Sequence, residues 1–163
     1  MKVAIVVPWR PGDPHREKAW AWTREWWEQF GWPICEVTHP EPAAFNRSWT
    51  INEGARRAWP FDVLVAIDAD VFEEDPEQVT EGVRRCAETG RLTIPHTSGH
   101  DLNNAGTTAL IGGKPGWARN VIKRREVCTS RVWMMRADLF AEVGGFDERF
   151  KGCKLREGGR LAD

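Results

Sequence analysis

The 163-residue chain contains no Tyr, only three Met, and four Cys with no C-x-x-C pair among them. The scattered Cys35, Cys86, Cys128 and Cys153 suggest neither a zinc ribbon nor a disulfide framework, and free thiols fit a reducing compartment. The apolar run near the start, VAIVVP, is far shorter than the ~20 residues of a membrane helix, and no small-residue cleavage site follows it. No charge of one sign dominates. With 23 Lys and Arg against 24 Asp and Glu, the net charge of -1 gives no broad footprint for nucleic acid or anionic lipid. Internal repeats, low-complexity tracts and linkers are missing as well. These absences point to a cytoplasmic protein without a membrane span, and 41% hydrophobic residues suffice for a two- or three-layer core in one domain.

What the chain has in excess is Trp. Of ten, seven precede residue 50, several of them in AWAWTREWWEQFGW. At helical spacing Ala19, Trp22, Trp26 and Phe30 form one stripe with Trp20 and Trp27 beside it, the pattern of a helix packed on a sheet. Asp13 and Pro14 supply its cap and first turn, and Gly31 its stop. A sugar-stacking role for an exposed Trp, such as Trp9, Trp20 or Trp27, is the less favoured alternative.

Strand and helix signals alternate along the chain. Strands are expected at 2–7, 34–38 and 63–68, with helices at about 14–30 and 44–58 between them. A helix opened by Asp75-Pro76 carries Val79, Val83 and Cys86 inward and closes at Gly90. RLTIP (91–95) and SRVWMMR (130–136) read as further strands, and 137–144 as a short helix. Residues 96–120 break the rhythm, and within them only TTALIG resembles a strand. Long irregular segments in compact domains are usually functional or mobile. The alternation predicts an α/β fold with a mainly parallel sheet.

The chemistry concentrates in DVLVAIDADVFEED (62–75), a buried strand running into acids. Open α/β sheets bind ligands at the carboxyl ends of their strands, where Asp68 and Asp70 fall. At i and i+2 the two side chains leave the same face, about 7 Å apart at Cα. If the carboxylates swing to about 4 Å they repel by roughly 4 kcal/mol at an effective dielectric of 20, so something positive must offset them. A divalent cation with oxygen ligands, holding substrate phosphates, is one answer. A cap at one Asp and solvation of the other is the equal alternative. Glu73, Glu74 and Asp75 read as a solvated cluster that starts a helix. His96, His100 and Asp101 read as solvent or acceptor contacts rather than a metal site, and His15 and His39 as surface residues. The first turn, PWRPGDP, lacks the Gly-x-Gly-x-x-Gly of a dinucleotide-binding dehydrogenase. The Asp-x-Asp sits on a later strand and is followed by Val71 and Phe72, which argues against a haloacid-dehalogenase-like phosphatase.

Four segments in order, VAIVVPWRP, FNRSWTINEGARRA, VLVAIDADVF and MMRADLFAEVGGFDERF, resemble the GT-A glycosyltransferases, especially family-2-like members of the phage-encoded kind. The resemblance covers most of residues 2–150. It implies a Rossmann-like three-layer sandwich over residues 1–152 that binds a nucleotide-sugar, most readily a UDP-sugar, through Mn²⁺ or Mg²⁺. It places Pro8, Arg10 and Arg47 around the base, with Asn46 beside them. Asp68 then contacts ribose or base and shares with Asp70 the metal that bridges the diphosphate. Arg suits this work because its planar fork matches phosphate and base edges. Without the motif, Arg47 reads as a surface ion-pair residue and Asn46 as a helix cap. Two departures stand out. The second strand ends CEVTHPEP where many relatives carry acids, and 153–163, CKLREGGRLAD, replaces the expected acidic acceptor-side motif. The chain thus reads as truncated before that motif, with a divergent tail at 153–163. No catalytic acid is assigned; Asp147, Asp101 and Glu126 are the weak candidates. The rival reading is a catalytically impaired or inactive nucleotide- or carbohydrate-binding module. The acceptor is unknown, a homo-oligomer is compatible with the sequence, and a phage-encoded protein would act in the host cytoplasm.

Overall fold

A computed structural model describes residues 1–40, 45–125 and 131–150. In chain order the elements are β1 (Val3–Trp9), α1 (Pro14–Glu28), β2 (Ile34–Thr38), α2 (Arg47–Ala58), β3 (Val63–Ile67) and α3 (Pro76–Thr89). They continue with β4 (Gly99–Leu102), α4 (Asn104–Ile111), a 3₁₀ turn (Trp117–Asn120), β5 (Val121–Arg125), β6 (Val132–Arg136) and α5 (Ala137–Glu142).

The main sheet has the order β2-β1-β3-β6; β1 is parallel to both β2 and β3, and β6 runs antiparallel to β3. Residues on β1 and β3 are apolar without alternation because both faces are covered. Val3, Ile5, Val7, Val63, Val65 and Ile67 face one side, against Trp20 and Trp27 of α1 and Val79, Val83 and Cys86 of α3. Ala4, Val6, Leu64 and Ala66 face the other, against Ile51 and Ala55 of α2 and, more peripherally, Leu139 and Phe140 of α5. The result is helix, sheet, helix. The step from β1 to β2 and the step from β2 to β3 run in opposite lateral directions. Right-handed crossovers therefore place α1 and α2 on opposite faces.

Side chains of the expected type open the helices. Asp13 Oδ1 accepts the His15 and Arg16 amides, Asn46 Oδ1 that of Trp49, and Asp75 Oδ1 that of Glu77. Gly90 closes α3 at φ 67°, a left-handed conformation that a Cβ disfavours. Gly54 has a different reason to be glycine: a Cβ there would lie 2.3 Å from Val6 Cγ1, so α2 reaches β1 only because that atom is missing.

Four expectations are corrected. The innermost line of α1 is Trp20, Thr23 and Trp27, with Ala19, Trp22, Trp26 and Phe30 flanking it half-buried. Trp9, Trp20 and Trp27 are core residues, 9%, 5% and 0% exposed, so none of them offers a ring to a sugar. RLTIP contributes only a bridge, in which Thr93 and Met134 exchange both backbone hydrogen bonds. Most of TTALIG is helical, within α4. Asn103 caps that helix by accepting the Gly106 amide, and the Thr108 hydroxyl returns to the Asn104 carbonyl, so local capping overrides the strand preference of paired Thr.

Candidate functional site

The parallel strands deliver their carboxyl ends to one edge, and beyond that edge lies a cleft of about 510 Å³. One wall is polar, with Asp68, Asp70, Asp101 and Arg131; the other carries Trp22, Phe72, Leu110 and Ile111. The turn after β3 bears the two acids and is fixed from three directions. The Asp68 amide donates to the Arg131 carbonyl at 2.9 Å, and the Thr23 hydroxyl donates to the Ala69 carbonyl at 2.5 Å. The Trp27 indole N–H donates to the Val71 carbonyl at 2.9 Å. Sequence reasoning read Trp27 as core and gave Thr23 no part. Both hold the acid-bearing turn through backbone carbonyls, for which a sequence carries no signal.

Arg47, in the first turn of α2, gives Nε and Nη2 to Asp68 Oδ1 at 3.0 and 2.9 Å. Burial pushes the Asp68 carboxyl up from its ordinary range, and the neighbouring Asp70 charge adds to the rise; the Arg47 guanidinium opposes both. Part of the positive charge that the acid pair requires thus comes from the protein. Asp70 is exposed to the cleft and, among the described residues, takes no hydrogen bond or ion pair; Asp68 Oδ2 takes none either. These are hard oxygen donors, the type Mn²⁺ and Mg²⁺ accept. No group of three or more His, Cys, Asp and Glu is placed to hold a metal among the described residues.

The other expected residues divide. Asp101, on β4, faces the cleft and pairs with Arg131 Nη1 at 2.7 Å. Asp147 does not line the cleft; Arg149 holds it, and its carboxyl is drawn down to about 2. Glu126 lies outside the described residues, as does the tail 153–163. Pro8 is buried within β1 opposite Val37, and Arg10 is exposed just past the end of that strand; neither lines the cleft. Asn46 is a cap whose Nδ2 also donates to the Glu148 carbonyl at 2.7 Å. Asn52, further along α2, bonds both backbone groups of Phe146 and Glu148 Oε1, so α2 carries the 146–148 segment.

Glu73 is not solvated, contrary to expectation. It is 8% exposed, and its Oε1 lies 2.8 Å from His96 Nδ1, whose side chain is equally enclosed. The pair ties the segment after Asp70 to the one leading into β4. His100 and His15 reach the cleft, and His39 lies edge-on to Trp49 with ring centroids 5.0 Å apart.

No family model matches the chain, and no curated protein matches it. Solved structures do. A mannosyltransferase from Pyrobaculum calidifontis, in complex with GDP-Man and Mn²⁺, superposes with a TM-score of 0.51 at 13% identity, over 90% of this chain and 48% of that one. A glycosyltransferase involved in glycosylation of the major capsid of PBCV-1 gives 0.47 at 15% identity, over 88% of this chain and 63% of its own. A mutant Drosophila beta-1,4-galactosyltransferase 7, in complex with manganese, UDP-Gal and xylobiose, gives 0.47 at 14%, over 94% and 56%. The chain spans about half to three-fifths of the length of these proteins. No helix among the described residues is long and apolar enough to cross a membrane. With a mostly parallel central sheet between two helical layers, the chain has the GT-A glycosyltransferase fold.

Proposed function

We propose that the chain binds a nucleotide-sugar through a divalent cation held by Asp68 and Asp70, and that it transfers the sugar to an acceptor. The observation that carries this reading is the pair of carboxylates at the carboxyl end of β3, open to a 510 Å³ cleft with no competing partner on Asp70 among the described residues. The mannosyltransferase that shares the fold is described with GDP-Man and Mn²⁺, and the ordered motifs around Asp68 favour a UDP-sugar as the first donor to test. Bound at the two acids, Mn²⁺ or Mg²⁺ supplies charge stabilisation to the leaving diphosphate. Arg47 orients Asp68 and opposes the upward push of burial on its carboxyl, and Arg131 adds positive charge to the polar wall. For the acceptor proton the candidate is Asp101, which lines the cleft beside the two acids assigned to the cation; Asp147, held at about 2, is a poor proton acceptor.

The pairing of Asp101 with Arg131 favours a second reading, donor binding with little transfer, because Arg131 already occupies the carboxylate at 2.7 Å. Calorimetric titration of UDP- and GDP-sugars with Mn²⁺ and with EDTA tests the first step. Binding that needs Mn²⁺ and is weakened by Asp70→Asn supports it, and equal affinity in all three conditions refutes it. Product formation in the same samples separates transfer from binding alone.

A further inference from the structure

Of the ten Trp, all in described segments, Trp59 alone is exposed, at 62%. It sits at the C-terminal end of α2, and its ring is held edge-on by Phe61 with centroids 5.6 Å apart. Phe61 is 5% exposed and anchored in the core, so the indole stands on a fixed base. Trp59 forms one side of a cavity of about 420 Å³ whose floor includes Ala55, Phe61 and Phe140. That volume lies in the range of small-molecule sites.

The rim of this cavity is polar in a particular way. Glu148 Oε1 accepts from Asn52 Nδ2, and among the described residues Oε2 takes no hydrogen bond. Arg56 gives Nε and Nη2 to Glu53, and Nη1 has no partner among the described residues. An acceptor and a donor thus remain available on opposite charges beside an aromatic face. A phosphate would meet the Glu148 carboxylate and an ammonium would meet Arg56, so the balanced rim disfavours either ion. A purely apolar guest would cover both charges without pairing them. A neutral ring with one apolar face and a circumference of hydroxyl groups satisfies all three features together.

We propose that the Trp59 cavity is a binding site for a neutral saccharide, stacked on the indole with hydroxyls on Glu148 and Arg56. It is separate from the Asp68 and Asp70 cleft: Arg47 and Trp59 stand at opposite ends of the 12-residue α2, about 18 Å apart. The site therefore holds a sugar that is not the donor undergoing transfer, and its occupancy requires neither nucleotide nor metal.

Saturation-transfer NMR on the full chain tests this, in EDTA and without nucleotide. The probes are methyl glycosides of glucose, galactose, mannose and N-acetylglucosamine, with their disaccharides, at millimolar concentration. The expected result is transfer to the C–H face of at least one saccharide. Trp59→Ala should weaken that binding at least about tenfold and Trp59→Phe less, while Asp70→Asn leaves it unchanged. Arg56→Ala, which leaves the aromatic platform intact, should also weaken it, and circular dichroism verifies that each variant is folded. No transfer to any probe overturns the proposal. So does binding that survives Trp59→Ala, or that Asp70→Asn abolishes. Because the donor cleft is tested with nucleotide and Mn²⁺, the two readings fail independently.

Discussion

Replacing Thr23 by Val keeps the shape of the side chain and exchanges its hydroxyl for a methyl, which removes the hydrogen-bond donor. Thr23 is 4% exposed and its hydroxyl has a single hydrogen to give. The Ala69 carbonyl, at 2.5 Å, is nearer than the helix carbonyls of Ala19 at 3.0 Å and Trp20 at 3.3 Å. Ala69 is itself 3% exposed, so water does not readily take over the vacated carbonyl. The cost is that of a buried acceptor left without a donor, about 1–3 kcal/mol. For a chain of this size it corresponds to a fall in Tm of roughly 2–12 °C. Urea unfolding should show a lower midpoint at unchanged slope, and Mn²⁺-dependent nucleotide affinity should fall because the turn bearing Asp70 has lost a tether. Thr23→Ser keeps the donor and removes only a methyl, and should cost about 1 kcal/mol or less. If Thr23→Val matches the wild type in both assays, or Ser costs more than Val, the hydroxyl does not hold the turn.

Three further outcomes are expected. Gly54→Ala drives a Cβ into Val6 and should cost about 1–3 kcal/mol in thermal unfolding, with part of the loss recovered when Val6→Ala is added. Arg47→Ala leaves Asp68 with a less compensated charge, and should lower stability at neutral pH by roughly 1–2 kcal/mol, between the exposed and buried limits; adding Asp68→Asn should restore most of it. Asp147, lowered from 3.8 to about 2 by Arg149, binds fewer protons folded than unfolded. Its contribution is present above the ordinary carboxylate range and disappears as pH falls through that interval; Arg149→Ala should return the carboxyl to its ordinary value in an NMR titration.

The alternation of β1 to α3 could be read from the sequence because each element there is specified locally. Two-sided burial makes VLVAI uniformly apolar, and Asp13, Asn46 and Asp75 mark the helix starts by their side-chain oxygens. Asp68 and Asp70 were legible for the same reason, since an apolar strand that stops at acids defines a sheet edge. What could not be read depends on partners distant in the chain. In α1 four Trp blur the phase, and Thr23 takes an inward position because its hydroxyl meets Ala69. Glu73 follows the strand as any solvated acid would, and only His96, 23 residues away, accounts for its burial. Strand preference in TTALIG was real but weaker than the Asn103 cap.

The antiparallel pairing of β6 with β3 carries a consequence for assembly. The first three strands join through short crossovers, whereas the Asp68 amide is bonded by the Arg131 carbonyl, about sixty residues later. Closing that loop has the larger entropic cost, and it is offset only when β6 arrives. A growing chain that has emerged as far as α3 holds its acids on an incomplete sheet. Arg131 and Asp101, which furnish the rest of the polar wall, join later. The complete polar wall would therefore appear only with β6, and slowed amide exchange at Asp68 would date its arrival.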